Sequence, residues 1–324
     1  MHSRQILQKT IDEAFASAGF VQNPPELYEP IEYALRNSGK RLRPLLVLMG
    51  CDLFGGEIQE ALYPAMAMEI FHNFTLLHDD IMDRAPLRRG KETVYKKYDI
   101  NTAILSGDTM FVLAYEYISR TKAIVLSGIL ELFNNTARMV CEGQQYDMNY
   151  ETAVQVTLGD YIHMIRLKTA TLLACSLKTG AILAGAPPEE TEKAYMFGEN
   201  LGLAFQLQDD YLDVFGNSLK FGKEIGGDII TGKKTFLYLK AFELAKEDTL
   251  IRLTRNFYDI EIPALEKIAR ITAIYHQLKI DELTRKEIEN YMEKALHWLD
   301  EINVGEERKN GLRELTREVM LRER

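Results

Sequence analysis

Asp79-Asp80-Ile81-Met82-Asp83 and Asp209-Asp210-Tyr211-Leu212-Asp213 repeat one acidic pattern, DDxxD, with starts 130 residues apart and each inside a long apolar segment. On a helix, positions i and i+4 lie only ~40° apart around the axis, so the first and last aspartates share a face with the second beside them. Like charges packed this closely stay ionised in a half-buried setting only beside cations. All-oxygen ligands point to a hard divalent metal. Mg²⁺ keeps several waters and takes one or two carboxylates plus substrate phosphates, so two such clusters suggest metal ions clamping a phosphorylated substrate between two helices. A single DDxxD is more often a solvated acidic face. Leu76, Leu77, Ile81 and Met82 around the first copy, and Phe205, Leu207, Tyr211, Leu212 and Val214 around the second, argue against that for both.

Phosphate also calls for local positive charge. Lys40, Arg41 and Arg43 fall in Ser38-Gly39-Lys40-Arg41-Leu42-Arg43-Pro44, Arg88 and Arg89 follow the first cluster, and Lys168 lies in a later helical segment. Lys223, Lys233 and Lys234 follow the second cluster, Lys223 among glycines that let backbone bend toward a ligand. Arginine brings a planar fork that matches phosphate oxygens, and lysine a compact charge.

These residues, together with Glu69-Ile70-Phe71-His72, Leu77-His78-Asp79-Asp80, Arg88-Arg89-Gly90, Leu105-Ser106-Gly107-Asp108, Gly143-Gln144 with Asp147, Lys168-Thr169-Ala170, Gly180-Ala181-Ile182-Leu183-Ala184-Gly185 and Phe205-Gln206-Leu207-Gln208-Asp209-Asp210, occur in one order. In that order the chain resembles the trans-isoprenyl diphosphate synthases, or polyprenyl synthetases, from about Ser38 through Lys233. Two departures stand out: Ser38 replaces a common glycine, and Tyr95 stands where many members have a histidine, which leaves the role of position 95 open.

The resemblance implies an all-α, single-domain antiparallel helical bundle around a deep central cavity, spanning residues 1–324. It implies a prenyltransferase that joins an allylic diphosphate to isopentenyl diphosphate, head to tail, by ionisation, condensation and elimination. Asp79, Asp80, Asp83, Asp209, Asp210 and Asp213 are the expected ligands of several Mg²⁺ ions, directly or through water. Arg88, Lys168, Lys223 and Lys233 are expected to contact the allylic diphosphate, and Lys40, Arg43, His72 and Arg89 the isopentenyl diphosphate. Thr169 and Gln206 are expected to turn oxygen atoms toward the carbocation, with helix packing as their competing role. A homodimer is also implied.

The elements that must position these groups are helices. Apolar residues recur at helical spacing in 45–54, 61–81, 102–120, 123–146, 159–184, 191–215 and 235–246, while strict alternation is scarce. With 46% hydrophobic and 27% charged residues the chain reads as globular, and a net charge of −9 argues against nucleic acid. No signal peptide or membrane span is expected, and Cys51, Cys141 and Cys175 read as core thiols in a reducing cytoplasm.

Alternatives differ in recognisable ways. A terpene cyclase pairs one DDxxD with an Asn/Ser/Glu motif, whereas here the second cluster is also DDxxD. A non-catalytic helical regulatory subunit is expected to have lost a cluster or its basic companions. A di-iron bundle needs a second ExxH beside Glu69-Ile70-Phe71-His72, and none is present. Product length is expected to depend on bulk before the first cluster. Thr75 lies four residues before Asp79 on the same face, Phe74 five residues before and about 7.5 Å down the axis, and Phe71 one further turn down. The resemblance gives position 74 as the residue that often limits the chain, so C15 to C20 products, geranylgeranyl ahead of farnesyl diphosphate, are expected over longer polyprenyl tails.

Overall fold

The computed structural model describes residues 2–37, 39–216 and 226–320. Its helices are α1 Arg4–Ser17, α2 Pro25–Arg36, α3 Leu42–Leu53, α4 Ile58–Met82, α5 Val94–Lys97, α6 Ile100–Ser119, α7 Ala123–Thr152, α8 Leu158–Ile165, α9 Thr171–Leu183, α10 Pro188–Phe215, α11 Gly227–Thr231, α12 Phe236–Leu244, α13 Glu247–Tyr258, α14 Ala264–Gln277, α15 Ile280–Asp300 and α16 Glu306–Met320. Among the described residues the only strands are β1 Leu87–Arg88 and β2 Lys91–Glu92, paired antiparallel with Leu87 opposite Glu92. The periodic segments expected from sequence correspond to α3, α4, α6, α7, α8 with α9, α10 and α12. The helices before residue 42 and after residue 246 carry weaker or more polar patterns.

The chain divides into two compact units. The first comprises Met1–Ala137, Leu172–Gly198 and Trp298–Arg313, and the second Arg138–Thr171, Glu199–His297 and Glu314–Arg324.

The first unit is built on α4, which packs most extensively against α6 and α3. Ala65, Ala67, Met68, Ile70 and Phe71 of α4 are buried on successive faces, so it is a core helix with no solvent stripe over that stretch. Asp99 starts α6 by accepting a hydrogen bond from the Thr102 amide at 2.8 Å, a cap that contributes ~1 kcal/mol. Rings form a row through this unit. His78 meets Phe74 (4.9 Å between centroids), Phe74 meets Phe111 of α6 (5.2 Å) and Phe71 (5.5 Å), Phe111 meets Tyr115 (5.2 Å), and Tyr115 and Phe71 both meet Phe133 of α7 (5.2 and 5.1 Å).

In the second unit α8 begins with a capping box. The Asp160 amide donates to Thr157 Oγ1 at 3.1 Å, and the Thr157 amide donates to Asp160 Oδ2 at 2.9 Å. The helix then widens into a π segment at Arg166–Ala170 before continuing as α9. Such a segment inserts an extra residue per turn and commonly marks a functional position. Gly143 of α7 makes room for it, because a Cβ there would lie 2.3 Å from the Lys168 backbone nitrogen.

Two physical effects oppose each other at this glycine. Alanine is the better helix former by about 1 kcal/mol. The clash is with backbone, which cannot swing aside, so overpacking wins. Gly143→Ala is expected to lower stability by at least about 2 kcal/mol in urea unfolding. An unchanged midpoint would show that α7 and the π segment do not depend on this close approach.

Candidate active site

The first acidic cluster closes α4. Asp80 is only 4% exposed, and Arg88 holds it through Nε to Oδ1 at 2.7 Å, with Arg88 Nη2 also 3.5 Å from Asp79 Oδ2. Burial pushes the Asp80 carboxyl up to about 6, against the opposing pull of Arg88. Asp79 is half-buried and Asp83 exposed, so the middle carboxylate is the most deeply buried of the three.

The Arg88-Arg89-Gly90 motif is a turn as well as a charge cluster. Arg89 and Gly90 have φ of +54° and +74°, the pair of left-handed positions that a two-residue type I′ hairpin between β1 and β2 requires. That turn separates two adjacent arginines. Arg88 goes to the aspartates, while Arg89 Nη1 donates to the Asn37 carbonyl at 3.0 Å and its guanidinium rests against Gly39. Burial first, then the charges of Arg43, Arg89 and Arg88, press the His72 pKa well below its ordinary 6.5, so His72 is a neutral imidazole within a basic cluster. Lys40 is exposed on the adjoining loop. A cavity of about 40 Å³ lies between α2, α4 and the hairpin, with Asn37, Asn73, Asp80, Arg88, Arg89 and Lys91 among its walls, room for about three waters.

Some sequence candidates are used otherwise. Arg41 pairs with Asp12 at 2.8 Å and lies over the Phe15 ring at 4.4 Å. Thr75 Oγ1 donates to the His72 carbonyl at 2.8 Å, turned onto its own helix. Lys234 caps α7 by donating to the Tyr150 and Glu151 carbonyls at 2.6 and 2.9 Å. Cys51 and Cys175 are buried as expected, but Cys141 is exposed, because the outward face of α7 carries it despite its apolar neighbours. The Tyr95 hydroxyl is buried and has no hydrogen-bond partner among the described residues.

The second cluster repeats the plan of the first within the second unit. Asp210 is 6% exposed, and both its oxygens are engaged: Tyr161 OH donates to Oδ2, and Gln206 Nε2 to Oδ1 at 2.9 Å. Burial raises its pKa, and the charge of Asp228 adds to the rise. Asp209 and Asp213 are half-buried, and Asp213 Oδ2 accepts the Asp228 amide at 2.9 Å. Thr169 Oγ1 donates to Gln206 Oε1 at 2.9 Å, so the two proposed cation-facing residues form one chain ending on Asp210. Lys168 and Lys233 both meet Asp147 Oδ2, at 2.6 and 3.4 Å. Burial alone would raise the Asp147 carboxyl, but Lys233 and Lys168 hold it below the usual carboxylate range. Lys223 lies outside the described residues.

Tyr161, Asp228 and the pairing role of Asp147 were not read from sequence. Tyr161 sits in Asp160-Tyr161-Ile162-His163, whose spacing carries no chemical signal. Asp147 was marked by its motif alone. Among the described residues no three His, Cys, Asp or Glu side chains converge as a ready-made metal cage. The donor set still fits Mg²⁺, which takes few protein carboxylates and completes its octahedron with water and phosphate oxygens.

A family model, Polyprenyl synthetase, matches residues 24–276. The chain belongs to the polyprenyl synthetase family. It is 40% identical over 228 residues to a geranylgeranyl diphosphate synthase of Sulfolobus acidocaldarius, covering 69% of each chain. It is 38% identical over 281 residues to a short chain isoprenyl diphosphate synthase of Methanocaldococcus jannaschii, covering 85% of each. A solved geranylgeranyl pyrophosphate synthase superposes with a TM-score of 0.95 at 43% identity, over 99% of both chains. This polyprenyl synthetase therefore has the all-α isoprenoid synthase fold and is a prenyltransferase, and the cyclase and regulatory-subunit alternatives fall away.

In this polyprenyl synthetase Tyr161→Phe removes one donor from a buried carboxylate while leaving ring packing intact. A loss of about 1–3 kcal/mol in urea unfolding is expected. Unchanged stability would mean that Asp210 is not held by this hydroxyl.

Proposed function

We propose that the enzyme condenses an allylic diphosphate with isopentenyl diphosphate and releases a C20 product, geranylgeranyl diphosphate, with farnesyl diphosphate as the next choice. The observation that carries the reading is the matched construction of the two DDxxD ends, each with an anchored middle aspartate and two neighbours left nearer solvent. We assign both clusters to one magnesium-dependent reaction of a single catalytic domain. Asp79, Asp80, Asp83, Asp209, Asp210 and Asp213 would hold Mg²⁺, directly or through water, together with diphosphate oxygens, and Asp80 and Asp210 would also fix the helix ends. A geranylgeranyl pyrophosphate synthase from Corynebacterium glutamicum, 26% identical with a TM-score of 0.85, was solved with isoprenyl diphosphate and magnesium, which supports this metal. Bound magnesium supplies positive charge to the departing diphosphate.

The chain's own residues supply the rest. Arg88, Lys168, Lys223 and Lys233 bind the allylic diphosphate and stabilise its charge as the C–O bond breaks. Lys40, Arg43 and Arg89, with neutral His72, hold isopentenyl diphosphate intact. Thr169 and Gln206 orient oxygens toward the allylic cation. The α6 side chains Ile104, Leu105 and Val112, 42%, 58% and 56% exposed, support a homodimer as the working form. Three free thiols, and no helix among the described residues long and apolar enough to cross a membrane, accord with a cytoplasmic enzyme.

Product length follows from the row of rings. A tail growing from Asp79 toward the start of α4 meets Phe74 first, then Phe111 and Phe71. Relatives named geranylgeranyl diphosphate synthase favour C20, while a relative from Natronomonas pharaonis, 36% identical, is named geranylfarnesyl diphosphate synthase. Incubation with Mg²⁺, isopentenyl diphosphate and a series of allylic starters, followed by chain-length analysis, tests the reading. Wild type is expected to yield mainly C20, and Phe74→Ala products at least one isoprene unit longer. Mainly C30 or longer chains from wild type, or unchanged products from Phe74→Ala, would refute the floor.

A further inference from the structure

Asp147 belongs to the motif Gly143-Gln144 with Asp147, yet neither metal binding nor substrate contact gives it a part. Its carboxylate is 7% exposed, a costly place for a charge unless it is paired. The pairing is double and converges on one atom: Lys168 Nζ and Lys233 Nζ lie 2.6 and 3.4 Å from Oδ2. Each partner is delivered by a separate device. Lys168 is the middle residue of the π segment, which Gly143, one turn before Asp147 on α7, lets approach. Lys233 precedes Lys234, whose caps on the Tyr150 and Glu151 carbonyls pin this stretch to the end of α7. Two ammonium groups so close repel one another, and without an anion between them they would separate into solvent.

We propose that Asp147 is a positioning residue for the allylic diphosphate: its buried carboxylate holds the Lys168 and Lys233 ammonium groups side by side, a preassembled pair of cations for one diphosphate group. The proposal rests on the assignment of those lysines to the allylic diphosphate. Preorganisation removes the cost of bringing two flexible, mutually repelling side chains together when the anion arrives. The sign of the effect separates this role from others. Acting only through its charge, Asp147 would weaken anion binding, and its removal would tighten it. A purely structural carboxylate would leave affinity unmoved in the folded protein.

Isothermal titration of inorganic diphosphate with Mg²⁺ into full-length wild type, Asp147→Asn and Asp147→Glu reads that sign directly. Asp147→Asn is expected to raise the diphosphate Kd by about tenfold or more, in line with a lost charge-assisted interaction. The KM for isopentenyl diphosphate should stay within about twofold. Equal or tighter diphosphate binding overturns the proposal. Should Asp147→Asn fail to fold, Asp147→Glu decides, because its displaced carboxylate shifts both amines and should raise Kd by about threefold or more, whereas an unchanged Kd overturns the role. Lys168→Met measured alongside separates the two claims. If it leaves diphosphate affinity unchanged, the lysine assignment itself fails and the positioning role with it; if it weakens binding while Asp147→Asn does not, only the positioning role is overturned.

Discussion

Placing carboxylates inside apolar helices is the constraint on which this structure turns. Water no longer screens or solvates such a group, so each needs a fixed partner or a cation. Asp80 has Arg88, Asp210 has Tyr161 and Gln206, and Asp147 has Lys168 and Lys233. In each acidic cluster the middle aspartate is the most deeply buried of the three. Apolar packing thus does more than stabilise the helices, since it removes solvent that would otherwise compete for every charge at their ends.

The backbone irregularities answer the same demand. The I′ turn at Arg89-Gly90 holds a non-glycine residue at positive φ, a conformation that costs of order 1 kcal/mol or more. It begins between adjacent arginines that go to different partners, Arg88 to Asp80 and Arg89 to the Asn37 carbonyl. The π segment likewise gives up ideal α-helical hydrogen bonding at Lys168 and Thr169, two residues with charged or polar partners in the second unit. Both distortions sit where a charge must be aimed.

Much of this was legible in sequence. The DDxxD pairs, the flanking basic residues and the 3.6-residue periodicity of α4 and α10 predicted helices carrying acidic ends, because spacing along one helix maps directly onto its faces. What escaped was contact between residues distant in sequence. Nothing in the neighbourhood of Tyr161 says that it will meet Asp210, 49 positions on. Lys234 reads like Lys233 in sequence, yet one caps α7 and the other pairs with Asp147. Phe111 and Tyr115 read as ordinary core of α6, and only their ring contacts to Phe74 and Phe133 make them part of one wall.

The central claim of the proposed function is that two acidic clusters, 130 residues apart in sequence, serve one reaction. Steady-state turnover of Asp79→Ala, Asp209→Ala and the double variant, with both diphosphates and saturating Mg²⁺, addresses it most directly. If both serve one reaction, each single variant loses turnover by about a hundredfold to thousandfold or more. The double variant then loses little beyond the worse single, as groups acting as a unit do. Near-normal turnover in either single variant, or losses that multiply in the double, would contradict this joint role.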